Sequence, residues 1–269
     1  MALLDVENVR RSFGGIVAVD RVSFSVADGQ IKALIGPNGA GKTTLFNIIS
    51  GLLRSETGRI TFKGKRISGL KPYRIASAGI ARTFQSPALF LQMSVLENVM
   101  VGRHCRTRGG FMGCCMRTPH QRKEEKATRD AAMAYLEYVG LSNLASVSAG
   151  ALPFGQRRMV ELARALATEP SLLLLDEPAS GLNTKETDDL GDLIRRICAD
   201  GITVLLVEHD MSLVMDISDD IIVLHNGTPI AEGTPATIQN DPKVISIYLG
   251  EDYHHVASGK EPALRLRQP

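Results

Sequence analysis

The chain has 269 residues, enough for one or two domains with a sizeable core. Apolar residues make up 44% and charged residues 22%, which excludes a disordered or collagen-like chain. Lys and Arg number 31 against 29 Asp and Glu, and a net charge of +2 argues against a protein that coats nucleic acid. The apolar runs at Leu172–Leu175 and Ile202–Val207 fall well short of the ~20 residues a membrane helix needs. The opening segment mixes acids and arginines where a secretory signal needs an apolar stretch, so the expected location is the cytoplasm. Four cysteines in a chain this long do not make a disulfide framework.

The first thirty residues read as β. Leu4 and Val6 alternate briefly, Val22, Phe24 and Val26 do so strictly, and Asp28-Gly29 marks a turn. Ile31–Ile35 reads as a short buried strand. Leu45, Ile48, Ile49 and Leu52 then form one face of a helix, with Gly51 and Gly58 in its end region. Ile60 and Phe62 resume alternation. From about Ser86 to Thr168 strand signals vanish and helical spacing takes over, as at Met133 and Leu136. Leu172–Leu175 is a strand, Leu190, Leu193, Ile194 and Ile197 line a helix, and Ile202–Val207 and Ile221–Leu224 are strands again. Strands alternating with helices predict a parallel α/β sheet. Residues 251–269 read as a polar tail.

Between the Ile31–Ile35 strand and its helix lies Gly36-Pro37-Asn38-Gly39-Ala40-Gly41-Lys42-Thr43, which fits G-x-x-x-x-G-K-[ST] in the strand–loop–helix context that motif requires. Glycines let successive N–H groups turn inward toward phosphate oxygens, and the helix start adds positive potential. Lys42 can reach the β- and γ-phosphates, and the Thr43 hydroxyl can ligate Mg²⁺; Thr44 follows in the same turn. The metal also needs a carboxylate, and Asp176 supplies one at the end of an apolar strand, placed beside the exit of the phosphate-loop strand. Glu177 is the next residue, points differently, and can face an attacking water as general base.

These motifs resemble the nucleotide-binding subunits of ABC transporters over roughly residues 3–250. Phe13 matches the aromatic that stacks on adenine, and Gln85, in Ala81-Arg-Thr-Phe-Gln85, matches the glutamine that couples the Mg²⁺ site to the helical subdomain. Leu152-Pro153-Phe154-Gly155-Gln156 sits at the signature segment, followed by Glu161 and Ala163-Arg164-Ala165-Leu166. Ser180-Gly181-Leu182-Asn183 matches the D-loop, and His209 the switch histidine. The resemblance implies an α/β P-loop NTPase with a RecA-like mixed sheet, an N-terminal antiparallel β portion and a helical subdomain inserted at about 86–160 of an ATPase unit spanning 1–250. It implies ATP and Mg²⁺, held by Lys42, Thr43, Gln85 and Asp176, hydrolysis by Glu177 with His209 on the γ-phosphate, and two subunits facing head to tail. Each ATP then lies between one chain's phosphate loop and the other's signature segment.

The signature departs from the common Leu-Ser-Gly-Gly-Gln. Pro153 offers neither the serine hydroxyl nor an N–H, and a lost charge-assisted bond costs about 1.5–3 kcal/mol. Asn183 stands where aspartate is commoner. Phe13-Gly14-Gly15, Ile80-Ala-Arg-Thr-Phe-Gln85, Val95–His104 and Tyr248-Leu-Gly250 resemble the LivG-type ATPase of high-affinity branched-chain amino acid importers. That branch implies a second, different ATPase subunit or a second copy, two membrane permeases, an indirect periplasmic binding protein, no nucleic acid, and a place on the inner face of the plasma membrane. Urea or amide importers and the lipopolysaccharide exporter are related alternatives; a non-transport ABC ATPase usually has two cassettes or coiled-coil insertions. The basic stretch Arg103–Arg129 reads as a solvated face or a lipid-facing one. Cys105, Cys114, Cys115 and His120 lack the paired spacing of a zinc site.

Overall fold

A computed structural model of the chain describes residues 2–85, 88–106 and 119–247. Cys114, Cys115, Tyr248–Gly250 and the polar tail therefore lie outside the described residues. Strand β1 (Ala2–Phe13) pairs antiparallel with β2 (Ile16–Ala27) and β4 (Thr57–Phe62), and β4 with the two-residue β5 (Lys65–Arg66). This is the antiparallel portion, in order β2-β1-β4-β5.

The second sheet has the order β10-β9-β3-β8-β7-β6. Strands β3 (Ile31–Ile35), β7 (Leu172–Asp176) and β8 (Thr203–Val207) are buried along their whole length. Their near-continuous apolar runs suit parallel strands covered on both faces. Strand β6 (Ile80–Arg82), β7, β8, β3 and β9 (Asp220–His225) run parallel, and β10 (Thr228–Gly233) closes the edge antiparallel to β9. The sheet is thus mixed, as the resemblance implies. Sequence reasoning misses β10, because its alternation is broken by Pro229; proline fits there because the strand is an edge.

Helix α1 (Lys42–Ile49) packs Leu45, Phe46, Ile48 and Ile49 into a core shared with the first sheet and one face of the second. The helix ends one turn earlier than the Leu45–Leu52 stripe predicts. Gly51 takes a left-handed φ of +76°, where a Cβ would stand 2.6 Å from the Leu70 carbonyl oxygen, so the chain turns away and leaves Leu52 exposed. Helix α2 (Pro72–Ala78) follows. On the other face of the sheet, α6 (Thr184–Ala199) buries the predicted stripe of Leu190, Leu193, Ile194 and Ile197, joined by α7 (Met211–Ile217) and α8 (Pro235–Gln239).

Between β6 and β7 the described chain holds no strand. Helices α3 (Val95–Gly102), α4 (Pro119–Tyr138) and α5 (Phe154–Leu166) enclose a separate apolar cluster around Val99, Leu136, Leu141 and Val160. Helix α5 also packs Leu162 and Leu166 against the sheet core, so it belongs to both clusters.

Candidate active site

The carboxyl ends of β3, β6, β7 and β8 open onto one edge of the sheet. Register places Leu34, Val207 and Asp176 in one row across β3, β8 and β7. Asp176 is therefore one strand farther from the phosphate loop than expected. Strand β8 lies between, and its own exit carries Glu208 and His209. Ligands of open α/β sheets bind in this position.

The loop after β3 fits its glycines for steric reasons. A Cβ on Gly36 (φ +151°) would stand 2.2 Å from the Leu224 carbonyl oxygen, and one on Gly41 (φ +99°) 2.2 Å from that of Ala18. Any side chain there would push the loop off β9 and β2. Asn38 and Gly39 face outward, while Ala40 is buried and donates to the Pro37 carbonyl at 3.1 Å. Helix α1 begins after left-handed Gly41 with no side-chain cap, and Thr43 is exposed in its first turn, with Thr44 half-buried behind it. The Lys42 ammonium is buried and folds back over the loop, 2.6 Å from the Gly36 carbonyl oxygen and 3.0 Å from that of Pro37.

Asp176 is buried and accepts from Arg82 at 2.8 Å. Arg82 also donates to Asn47 (2.7 Å) and Ser50 (2.8 Å), so the pair bolts the end of β7 to α1. Glu177 has a left-handed φ of +47°, an unfavourable geometry of about 1–3 kcal/mol for a residue with a side chain. Its N–H donates to the Val207 carbonyl at 2.8 Å, and the turn delivers its carboxylate to the Gln85 amide, with Nε2 2.7 Å from Oε2. Two residues predicted from separate motifs are thus brought into direct contact.

His209 is exposed, and its position is set by the preceding residue. Glu208 is fully buried and accepts three backbone N–H groups: Ala179 and His209 at 2.8 Å, and Asp210 at 3.2 Å. That carboxylate fastens the loop after β7 to the loop after β8. Sequence reasoning gives Glu208 no role, since a glutamate after an apolar strand reads as solvated.

The signature segment lies outside this cluster. Leu152 is buried in the helical cluster, and Pro153 (φ −56°, ψ 158°) precedes α5 without any side-chain cap. Phe154 packs on Gly181, where an added Cβ would stand 3.0 Å from its ring, and Gly155 faces Glu186, where an added Cβ would stand 2.7 Å from the carboxylate. Gln156 is half-buried beside them. In the D-loop, Ser180 donates its N–H to the Glu177 carbonyl, and Leu182 lies against Gly155. Asn183 is the N-cap of α6: its Oδ1 accepts from Glu186 N at 3.0 Å, and Glu186 returns the bond at 2.9 Å. Phe13 is exposed at the tip of the β1–β2 hairpin, with the Arg11 guanidinium 4.8 Å from its ring centroid.

Among the described residues, no group of three or more His, Cys, Asp or Glu could hold a metal ion. The oxygen donors at this edge, the Thr43 hydroxyl, the Asp176 carboxylate and the Gln85 amide, suit a hard cation that brings most of its ligands with it.

Residues 19–180 match the family described as ABC transporter, and residues 228–254 match the family described as branched-chain amino acid ATP-binding cassette transporter. The chain is 45% identical to BraF of Pseudomonas aeruginosa, a high-affinity branched-chain amino acid transport ATP-binding protein, over 93% of this chain and 98% of that one. LivG of Escherichia coli K12, described in the same words, is 44% identical with the same coverage. Among solved structures, the ADP conformation of MJ1267, an ATP-binding cassette of an ABC transporter, superposes with a TM-score of 0.82 at 37% identity, covering 93% of this chain and 99% of that one.

Proposed function

Because the chain belongs to the ATP-hydrolysing subunits of ABC transporters, we propose that it powers import of branched-chain or similar hydrophobic amino acids. The observation that carries the mechanistic part is the meeting of Gln85 and Glu177 on the same sheet edge that the phosphate loop opens onto. In this reading Lys42 exchanges the loop carbonyls for ATP phosphate oxygens, and the first N–H groups of α1 point at them. Gly36–Thr44 cradle the phosphates and Phe13 stacks on adenine. Thr43, Asp176 and Gln85 would hold Mg²⁺, which would neutralise phosphate charge. Glu177 accepts the proton of the attacking water as its oxygen bonds to the γ-phosphorus and the bond to ADP breaks. His209 hydrogen-bonds the γ-phosphate.

The signature segment, Leu152–Gln156, which exposes Pro153 and Phe154, acts on the ATP of a second ATPase subunit, with the D-loop, Ser180–Asn183, at the same junction. We read residues 1–250 as one ATPase unit with a helical insertion at about 86–160, and the chain as working on the inner face of the plasma membrane. No helix among the described residues is long and apolar enough to cross a membrane. A groove of about 420 Å³ lined by Leu52, Ile75, Phe84, Val101 and Arg164 lies between α2, β6 and α5, directly before Gln85. A permease helix seated there would feel any movement of the Gln85 segment. The match at residues 228–254 favours the amino acid branch over the urea, amide and lipopolysaccharide relatives.

The test is uptake of radiolabelled leucine by cells lacking this chain. Wild type should restore uptake and Glu177→Gln should not. Uptake that never depends on the chain sinks the amino acid reading. Hydrolysis that survives Glu177→Gln within about tenfold sinks the general-base assignment, which calls for a loss of about 10²–10⁴.

A further inference from the structure

Helix α5 carries two buried charges that the proposed hydrolysis does not use. Arg158 and Glu161 stand one turn apart, both at 2% exposure or less, with Nη1 3.3 Å from Oε2. Together they grip two other chain segments. Arg158 Nη1 donates to the Phe84 carbonyl at 2.7 Å, and Nη2 donates to the carbonyls of Gln85 at 2.7 Å and Glu177 at 3.2 Å. Glu161 accepts the Phe84 N–H at 3.1 Å, so both the donor and the acceptor of that residue end on one helix.

Burying an ion pair is a poor way to stabilise a helix, because apolar residues of similar size commonly do as well or better. What the pair adds is direction. A guanidinium is a rigid planar fork: here Nη1 holds the Phe84 carbonyl while Nη2 bridges those of Gln85 and Glu177, at two different strand exits. Burial pushes the Glu161 carboxyl up, against the opposing pull of the Phe84 N–H and Arg158. The charged form thus depends on its partners staying in place.

We propose that Arg158, held by Glu161, is a positioning residue for hydrolysis: it locks the backbones of Gln85 and Glu177 into one frame, so that their side chains meet, and ties that frame to the helix that begins at the signature segment. Arg158 acts only through those two residues. Any shift of α5 moves the Gln85–Glu177 contact with it, in the same chain. The inference rests on reading Glu177 as the base and goes beyond it by naming what sets its alignment.

The test uses the full chain as Arg158→Lys, Arg158→Met and Glu161→Gln, with the surface variant Arg195→Ala as control. Amide hydrogen exchange without nucleotide reads the clamp itself. Exchange should rise in residues 83–85 and 177–181 in the Arg158 variants and stay unchanged elsewhere and in Arg195→Ala. Arg158→Lys, which keeps the charge but loses the fork, should lower kcat ~10-fold or more, while KM and the affinity for a fluorescent ATP analogue stay within ~3-fold. Glu161→Gln keeps an oxygen for the Phe84 N–H and should fall between Arg158→Lys and wild type. Wild-type kcat in Arg158→Lys overturns the proposal, and so does exchange that is unchanged at both segments or raised throughout the chain. If Arg158→Met fails to fold, the other two variants decide by the same criteria. A wild-type chain that binds no ATP analogue defeats the reading of the site instead, and the exchange pattern still judges the clamp.

Discussion

The helices of this chain begin in two different ways. Helices α3, α6 and α7 are capped by Ser94, Asn183 and Asp210, whose side chains accept first-turn N–H groups. Helices α1 and α5 have no side-chain cap: one begins after left-handed Gly41, the other after Pro153. Helix α2 lacks a cap too, but Pro72 in its first turn removes one donor. In the capped helices the first-turn N–H groups are already satisfied within the chain. The bare starts are those that the family resemblance places against phosphate, one in this chain and one in the next. A cap there would compete with the ligand for the same donors.

The largest effect that would break this contrast is at the phosphate loop. Lys42→Ala removes a cation that now bonds two loop carbonyls. Binding of a fluorescent ATP analogue should weaken by about one to two decades, from about 1.5–3 kcal/mol of charge-assisted bonding. The chain should still fold, as circular dichroism would show. Affinity within threefold of wild type would remove the loop from the account.

Next comes the buried carboxylate that replaces a cap between strands. Glu208→Ala strands three N–H groups and should lower the unfolding free energy by about 1–3 kcal/mol in urea titration. A loss under ~0.5 kcal/mol would mean that water takes its place at no cost.

The capping contrast itself is sharpened by a reciprocal pair. Asn183→Ala should cost about 1 kcal/mol of stability and leave ATP-analogue affinity unchanged. Pro153→Ser should gain up to ~1 kcal/mol by capping α5, and it should also change hydrolysis by the two-subunit assembly, because in the proposed head-to-tail arrangement the hydroxyl would face the partner's nucleotide. Equal effects on stability and none on hydrolysis in Pro153→Ser would make the signature start an ordinary helix end.

The smallest effect is alkaline. Burial, then the bond from its hydroxyl to Asp200 (2.7 Å), pushes Tyr138 up to about 12. The folded state holds that proton more tightly than the unfolded one. Its stabilisation is present in full below about pH 10, the ordinary phenol value, and fades as pH rises toward about 12. Tyr138→Phe should flatten the stability–pH curve in that window and leave its slope unchanged near neutrality.

Much of the site was legible in the sequence because its parts are local. A glycine-rich turn between a strand and a helix, or Asp-Glu after an apolar run, carries its geometry in neighbouring residues. The strand order was less legible. Nothing in Ile202–Val207 says that β8 separates Asp176 from the phosphate loop. The residues that hold the site together were hidden for a related reason. Arg82, Arg158, Glu161 and Glu208 are charged, so they read as solvated, and their burial depends on partners between 19 and 94 positions away. Opposite charges at Arg158 and Glu161, one turn apart on an otherwise apolar helix face, were the one local hint. Helix α1 ends where Gly51 signals, one turn short of the Leu45–Leu52 stripe, and the contact with Leu70 that requires glycine there is not local.

The central claim is that the bare start of α5 completes a nucleotide site on another chain. Size exclusion of Glu177→Gln with Mg²⁺, alone and mixed with the second ATPase subunit of its transporter, tests it most directly. The account predicts a two-cassette particle in at least one of these samples, formed with ATP and lost with ADP. A chain that binds ATP and stays monomeric in both would contradict it.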